Sequence, residues 1–364
     1  MKPIFLNAAA GFVVAFGLAD GAAAATLRAD EILAKFRNAN EHRDDVLIVA
    51  HRGAAFANGV EVVAENSLAS LDRAVKLGVD MVEIDIRKTL DGVYVISHDA
   101  TLDRGTNCSG AVSQISFTDL RDCRLVFGTD RIETEETIPT LEEYLNAAKG
   151  KIMINLDSKL GAEDAAGIMA VVGATGMTEY SVATIGAHTP ADVAVAVELQ
   201  RIFGDDLQIM PNVYDSQISG FGQLPLIYDS LTFDVMQVRN EWRGGPITED
   251  GGILFSDEAR LLAQLHDVHL WINTLGDDNM RSGGRGDALA RDTGDLDAVY
   301  GFWVRAGATM FQTDEPELAI DWLEANGYRQ GYAPIPAPAP VPLPAAGLLL
   351  AAGVGLLAAF RRRA

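Results

Sequence analysis

The chain has 364 residues, 48% apolar and 22% charged, a balance that suits a soluble globular body wide enough for one large α/β domain. Its formal charge of -22 at pH 7 excludes a nucleic-acid or anionic-membrane binder driven by counterion release, because no basic stripe is present. The same field would repel an anionic ligand unless a local cation, such as a bound metal, offsets it.

In chain order, the first predicted element is a leader over residues 1–25, "MKPIFLNAAAGFVVAFGLADGAAAA". Lys2, the apolar run from Ile4 to Leu18 and the Ala-rich stretch form the pattern of a secretory signal cleaved near Ala25. The expected address is therefore the periplasm, the cell envelope or the medium of a bacterium. Cys108 and Cys123, an even pair in an exported chain, suggest a disulfide, with two free thiols as the alternative.

Next come β-rich apolar runs: VLIVA (46–50), MVEIDI (81–86), VYVIS (93–97), KIMINL (151–156), SVATI (181–185), LQIMPNV (207–213), VMQV (235–238), HLWINTL (269–275) and TMFQT (309–313). Between most of them lie amphipathic stretches such as SLASLDRAVKLG, TLEEYLNAAKG, SDEARLLAQLH and LDAVYGFWVRAG, each ending near Gly or His. Strands alternating with helices imply right-handed βαβ units and a parallel sheet. Setting aside one run that belongs to a hairpin leaves eight, the number of a (β/α)8 TIM barrel, expected over residues 46–328. A doubly wound open sheet is the alternative, but no Gly-rich phosphate loop follows the first strand.

The hairpin is MVEIDIRKTLDGVYVISHD, with Asp91-Gly92 as a two-residue turn signal. If Leu90 faces Val93, Asp85 lies opposite His98, and Glu83 points to the same face as Asp85. Residues 100–138, between the His98 strand and the TLEEYL helix, read as a small insertion.

Chemistry concentrates where this hairpin and the first strand end. His51, Glu65, Glu83, Asp85, His98 and Asp99 fall within fifty residues of otherwise apolar sequence. Carboxylates at i and i+2 are hard oxygen ligands suited to Mg²⁺ or Ca²⁺, and no Cys/His spacing for zinc is present. The alternative is a pair of acids neutralised by Arg87 and Lys88. Two histidines flanking the acids support proton transfer on a metal-bound anion.

The order His51-Arg52-Gly53, Glu65-Asn66, Glu83-Ile84-Asp85, His98-Asp99 resembles the glycerophosphodiester phosphodiesterase family, metal-dependent phosphodiesterases on a TIM-type barrel. The likeness runs on through TLDRGTN, IPTLEEYL, INLDSKL, LWINTL and FQTDEPE, over residues 46–325. It implies His51 and His98 as the catalytic pair, Arg52 and Lys159 on the phosphate, and Glu83, Asp85 and Asp157 around one divalent cation, Ca²⁺ or Mg²⁺. Glu65 and Asp99 would orient or supplement these groups. Asp157-Ser158-Lys159 departs from the family's Glu-x-Lys, and sphingomyelinase D-like phospholipases are similar in using Asp there, which keeps phospholipids in view. Trp271 and Asn273 would line the alcohol pocket, with a core indole as the competing reading. Asp314 either sits at the barrel mouth or caps the following helix, and the long loop after Leu275 would lie on the catalytic face as a lid. His42, His188, His266 and His269 read as structural or exposed.

The chain closes with a Pro/Ala linker (329–344) and an apolar tail ending in Arg361–Arg363 (345–364). VPLPA at 341–345 is similar to bacterial sorting tails, implying membrane association through the tail and a processing protease as partner. The expectation is an exported enzyme acting on a small phosphodiester, with no nucleic acid. A phospholipase D-like enzyme and a non-catalytic envelope metal-binding protein are the alternatives, and retention of both histidines weighs against the second.

Overall fold

The computed structural model describes residues 27–204, 207–218, 220, 222–276 and 279–332. The expected leader, the apolar tail and the linker beyond Tyr332 lie outside the described residues.

Helix α1 (Arg28–Phe36) precedes the first barrel strand and buries Ile32, Leu33 and Phe36, each contributing about 1.5–3 kcal/mol by leaving water. Strand β1 (Leu47–Ala50) is followed by a two-stranded ribbon, β2 (Phe56–Ala57) and β3 (Val60–Glu61), and by α2 (Leu68–Leu77). Ser67 and Ser70 start α2 by exchanging side-chain and backbone hydrogen bonds, and Gly78, at φ 87°, ends it. The hairpin β4 (Met81–Lys88) and β5 (Tyr94–Ile96) leads into the insertion, which holds α3 (Phe117–Leu120), β6 (Arg124–Phe127) and β7 (Ile132–Thr137). Leu102, Val112, Leu120, Cys123 and Leu125 give that insertion its own small core, and Cys108 is bonded to Cys123.

Regular alternation then resumes with α4 (Leu141–Ala148), β8 (Met153–Ser158), α5 (Ala165–Thr175), β9 (Ser181–Gly186), α6 (Pro190–Phe203) and β10 (Ile209–Tyr214). It continues through α7 (Gln223–Ser230), β11 (Val235–Arg239), α8 (Asp257–Leu265) and β12 (His269–Asn273). The last elements are α9 (Asp287–Thr293), α10 (Phe302–Ala306), β13 (Met310–Thr313) and α11 (Pro316–Ala325). The parallel strands run in the order β1-β13-β12-β11-β10-β9-β8-β4, and β4 pairs back with β1 to close the eight-stranded barrel. All nine apolar runs of the sequence are strands, and the ninth, β5, pairs antiparallel to β4.

Inside the barrel, side chains two residues apart on each strand stack in layers. Val49, Met81, Met153, Val182, Met210, Val235, Trp271 and Met310 form an apolar layer against Ile32, Leu33 and Phe36 of α1. Above it, Glu83, Asn155, Thr184, Asn212, Gln237, Asn273 and Gln312 line a cavity of about 340 Å³ at the C-terminal ends of the strands. The barrel is thus floored with hydrocarbon and opens through a polar mouth.

The packed body reaches past the expected limits of 46 and 328 at both ends. Arg329, assigned above to the linker, is buried beside Asp80 just below β4, with Nη1 2.5 Å from Asp80 Oδ2. Asp80 also accepts the Ile48 N–H at 2.6 Å and the Tyr332 hydroxyl. Arg28 of α1 donates to the carbonyls of Val75 and Val79 on the same face.

Candidate active site

The β4–β5 hairpin corrects one expectation. Ile86 pairs with Ile96, Arg87 with Val95 and Lys88 with Tyr94, and the Thr89 N–H donates to the Val93 carbonyl. The loop is therefore the three residues Leu90–Gly92, with Gly92 at φ 87°, a longer turn that Asp-Gly also serves. Asp85 consequently faces Ser97, whose N–H donates to the Asp85 carbonyl at 2.9 Å, and not His98. His98 still reaches the cavity, because it lies beyond the end of β5, where Arg87 clamps its carbonyl from Nε and Nη2 at 2.9 and 2.6 Å. β1 is four residues long and pairs only with Met81 and Val82 of β4, so the upper edge of β4 is free to take β5.

Glu83, Asp85 and Asp157 converge, each offering an oxygen within 4.8 Å of the others. Burial, then the charges of Asp85 and Asp157, push the Glu83 carboxyl well above the usual range. Burial would raise Asp85 too, but Lys159 and Arg52 outweigh it and hold that carboxyl low. Lys159 Nζ sits 2.9 Å from Asp85 and 2.8 Å from Asp157, and Arg52 Nε sits 3.3 Å from Asp85. Arg87 and Lys88 are not the neutralising partners: Arg87 holds the His98 carbonyl and Lys88 pairs with Asp164. Three oxygen donors, two of them deeply buried and one driven to hold its proton, form a set that a hard divalent cation would satisfy. The shorter Asp157 reaches the cluster in this fold.

Each histidine has its own carboxylate. His51 Nδ1 lies 2.7 Å from Asp314 Oδ1, and His98 Nδ1 lies 2.7 Å from Asp99 Oδ1. Burial alone would raise both acids; His51 outweighs it at Asp314, while Arg104 and His98 bring Asp99 down to about 2. An ionised partner on Nδ1 fixes the proton there and leaves Nε2 for the cavity. Of the two readings of Asp314, the mouth position holds: it is an imidazole orienter, and its other oxygen accepts the Gly276 N–H at 2.8 Å.

Arg52 has φ 52°, an unusual backbone that turns its N–H onto Glu83 Oε2 at 3.1 Å. At Gly53, φ 82°, any Cβ would fall 2.2 Å from Ser70 Oγ, so only glycine lets this turn press onto the start of α2. Glu65 bridges Arg52 at 3.1 Å and Arg104 at 2.5 Å, and Arg104 goes on to Asp99. Glu65 therefore ties the His51 side of the mouth to the His98 side. Asn66, also at positive φ, donates from Nδ2 to Asp85 at 2.9 Å.

Trp271 is corrected. It is wholly buried in the apolar layer and donates from Nε1 to Asn273 Oδ1 at 2.7 Å; Asn273, one layer higher, lines the cavity. Of the long loop, Leu275 and Arg281 line the same cavity, while Asp277 and Asp278 lie outside the described residues. Sequence reasoning missed the role of Arg104, although it stands in TLDRGTN, and it missed Arg239, Arg281 and the amide-rich layer beyond Asn273, which carry no local motif. His269 is structural as expected: burial pushes it down to about 4, and it hydrogen-bonds Thr309 and the Lys35 carbonyl.

Asp287 supports this arrangement from behind. It accepts from Thr313 Oγ1 and the Asp314 N–H, both at 2.8 Å, and lies 3.2 Å from the Tyr300 hydroxyl. Burial, then the Asp314 charge, push its carboxyl up to about 7. The folded value exceeds the unfolded one, so the stabilisation is complete below about pH 4 and is lost as pH rises through about 7. Asp287→Asn, which mimics the protonated acid, should lack this term. Chemical denaturation from pH 4 to 8 should show the variant gaining about 2–4 kcal/mol on the wild type, and parallel curves would mean that Asp287 titrates normally.

Residues 51–188 match the Glycerophosphoryl diester phosphodiesterase family, and residues 249–323 match a domain of unknown function. A glycerophosphodiester phosphodiesterase of Caldanaerobacter subterraneus subsp. tengcongensis is 36% identical over 118 residues, 32% of this chain and 46% of the relative. Glycerophosphodiester phosphodiesterase 1 of Mus musculus is 40% identical over 104 residues, 28% of this chain and 30% of the relative. The match thus spans less than half the length of each of these relatives. Among solved structures, a glycerophosphoryl diester phosphodiesterase from Parabacteroides distasonis superposes with TM-score 0.58 at 21% identity, over 82% of this chain and 92% of that one. An Oleispira antarctica phosphodiesterase, solved with its product sn-glycerol-3-phosphate, gives TM-score 0.51 at 17% identity over 76% and 96%. At such identities these two speak for the fold.

Proposed function

We propose, from the match of residues 51–188 to the glycerophosphoryl diester phosphodiesterase family, that this protein hydrolyses glycerophosphodiesters to glycerol 3-phosphate and an alcohol. The observation that carries the reading is the pair of histidines, each set by a carboxylate on Nδ1, flanking one cavity that also holds the carboxylate cluster, Arg52 and Lys159. Glu83, Asp85 and Asp157 would hold one divalent cation, Ca²⁺ or Mg²⁺, which supplies Lewis-acid stabilisation of charge on the phosphoryl oxygens. Arg52 and Lys159 would bind the non-bridging oxygens and concentrate positive charge that the acidic chain otherwise lacks. His51 Nε2 would take the proton of the nucleophile: either water, which gives glycerol 3-phosphate directly, or the glycerol 2-hydroxyl, which gives a cyclic phosphate that water then opens. Asp314 stabilises the imidazolium that results. His98 Nε2 would deliver a proton to the departing alcohol, with Asp99 and Arg104 holding its ring.

The leader pattern and the disulfide support export to the bacterial envelope, and the tail would add membrane association and processing by a sorting protease. No helix among the described residues is long and apolar enough to cross a membrane.

The test is turnover of a panel of glycerophosphodiesters and lysophospholipids by the purified protein with chelator, Ca²⁺ or Mg²⁺. Glycerophosphodiester hydrolysis that chelation abolishes and one of the two cations restores is the expected result. Turnover confined to lysophospholipids would transfer the protein to phospholipase D-like chemistry, and metal binding without any hydrolysis would make it a metal-binding protein.

A further inference from the structure

The mouth is divided by charge. On the β4 and β8 side the cations are matched: Arg52 by Glu65 and Asp85, Lys159 by Asp85 and Asp157. Strand β11 lies four strands from β4 in either direction round the barrel, hence diametrically across the mouth. Its last residue, Arg239, lines the cavity, as does Arg281 from the loop after β12. Among the described residues neither side chain has an ion-pair partner.

Arg239 is also held in place. Its guanidinium lies over the Tyr214 ring at 4.5 Å, and Tyr214 is backed in turn by His188, with ring centroids 4.3 Å apart. Stacking fixes the plane and leaves the N–H edge to hydrogen-bond, yet the buried Nε has no partner. Burial works first against the charge of Arg239 and Arg281 adds to it, while Tyr214, Asp157 and Glu241 favour the charge without outweighing burial. A held cation with an unmet donor, beside a second cation that repels it, forms a site whose cost an anion would remove.

A phosphodiester carries one negative charge, and the cations on the β4 side already serve it in the reading above. We infer that the substrate bears a second anionic group, a carboxylate or a further phosphate, and that Arg239 and Arg281 hold it across the mouth from the scissile phosphate. This rests on the phosphodiesterase reading and adds a substrate class to it: diesters with an acidic substituent.

Glycerophosphoserine and glycerophosphoethanolamine differ only by a carboxylate, and a glycerophosphoglycerol bearing a terminal phosphate supplies the other arm. The wild type should favour at least one anionic diester over the ethanolamine diester by roughly tenfold or more in kcat/KM. Which arm wins names the group. Arg239→Gln and Arg281→Gln should erase most of that ratio, with Arg239→Lys keeping part of it, and thermal melting checks that each variant is folded. Equal turnover of all three diesters by the wild type would overturn the inference. So would equal losses on all three in the variants, because the arginines would then serve the shared phosphate. If no diester turns over, the phosphodiesterase reading falls, and calorimetry decides the inference separately: equal affinity for the serine and ethanolamine diesters overturns it.

Discussion

His98→Ala should lower kcat by about 10²–10⁴-fold on a diester with an alkyl alcohol leaving group, and far less on one that releases p-nitrophenol. The difference follows from the proton. An alkoxide is too basic to leave unprotonated, so removing the acid raises the barrel's burden by the full value of general-acid catalysis; p-nitrophenolate departs without it. His51→Ala should lose activity to a similar extent on both substrates, because the nucleophile needs its base whichever group leaves. Single-turnover rates of the two variants on the two substrates make four numbers that assign the roles. Rescue of His51→Ala by the activated substrate, with no rescue of His98→Ala, would exchange base and acid. The carboxylates behind the rings refine the test: Asp314→Asn should resemble a weakened His51→Ala, since it removes the charge that favours the imidazolium and keeps the shape.

Asp80→Ala should cost about 3–5 kcal/mol of stability, the loss expected when one partner of a buried ion pair is removed. Asp80 is fully buried and takes donors from three directions: the Ile48 N–H, Arg329 Nη1 at 2.5 Å and the Tyr332 hydroxyl. Without it, the Arg329 guanidinium remains in a site that is 4% exposed, with, among the described residues, only the carbonyls of Val46 and Gly78 to receive its N–H groups. Asp80→Asn, which retains an acceptor oxygen, should cost less. Urea unfolding at pH 7 measures both, and a loss below about 1 kcal/mol for the alanine variant would show that water or a rearranged chain replaces the carboxylate.

Much of this molecule is legible in its sequence for physical reasons. Strands buried on both faces must be continuous apolar runs, and those runs alternate with helix-like segments, so the barrel could be counted. The acids and histidines of residues 51–99 stand out because charge at the ends of such strands is costly without a purpose. The register of the β4–β5 hairpin was not legible, because Asp-Gly suits a two-residue turn and also a three-residue loop whose last residue is left-handed. One residue of slip moves a side chain to the other face. Trp271 shows a different limit: alternation places Trp271 and Asn273 on the same inward face, but only the height of the strand in the barrel decides which one reaches the mouth. Long-range partners were out of reach altogether. Asp314 is 263 residues from the histidine it orients, and Arg239 and Arg281 acquire meaning only when the closed barrel sets them opposite the carboxylates.

The two ends of the described chain are fastened on the same side, α1 under the hydrocarbon floor and Arg329 and Tyr332 against Asp80, while the mouth opens on the other. An addition at either described end therefore meets the sealed base of the barrel and leaves a ligand's way into the cavity clear.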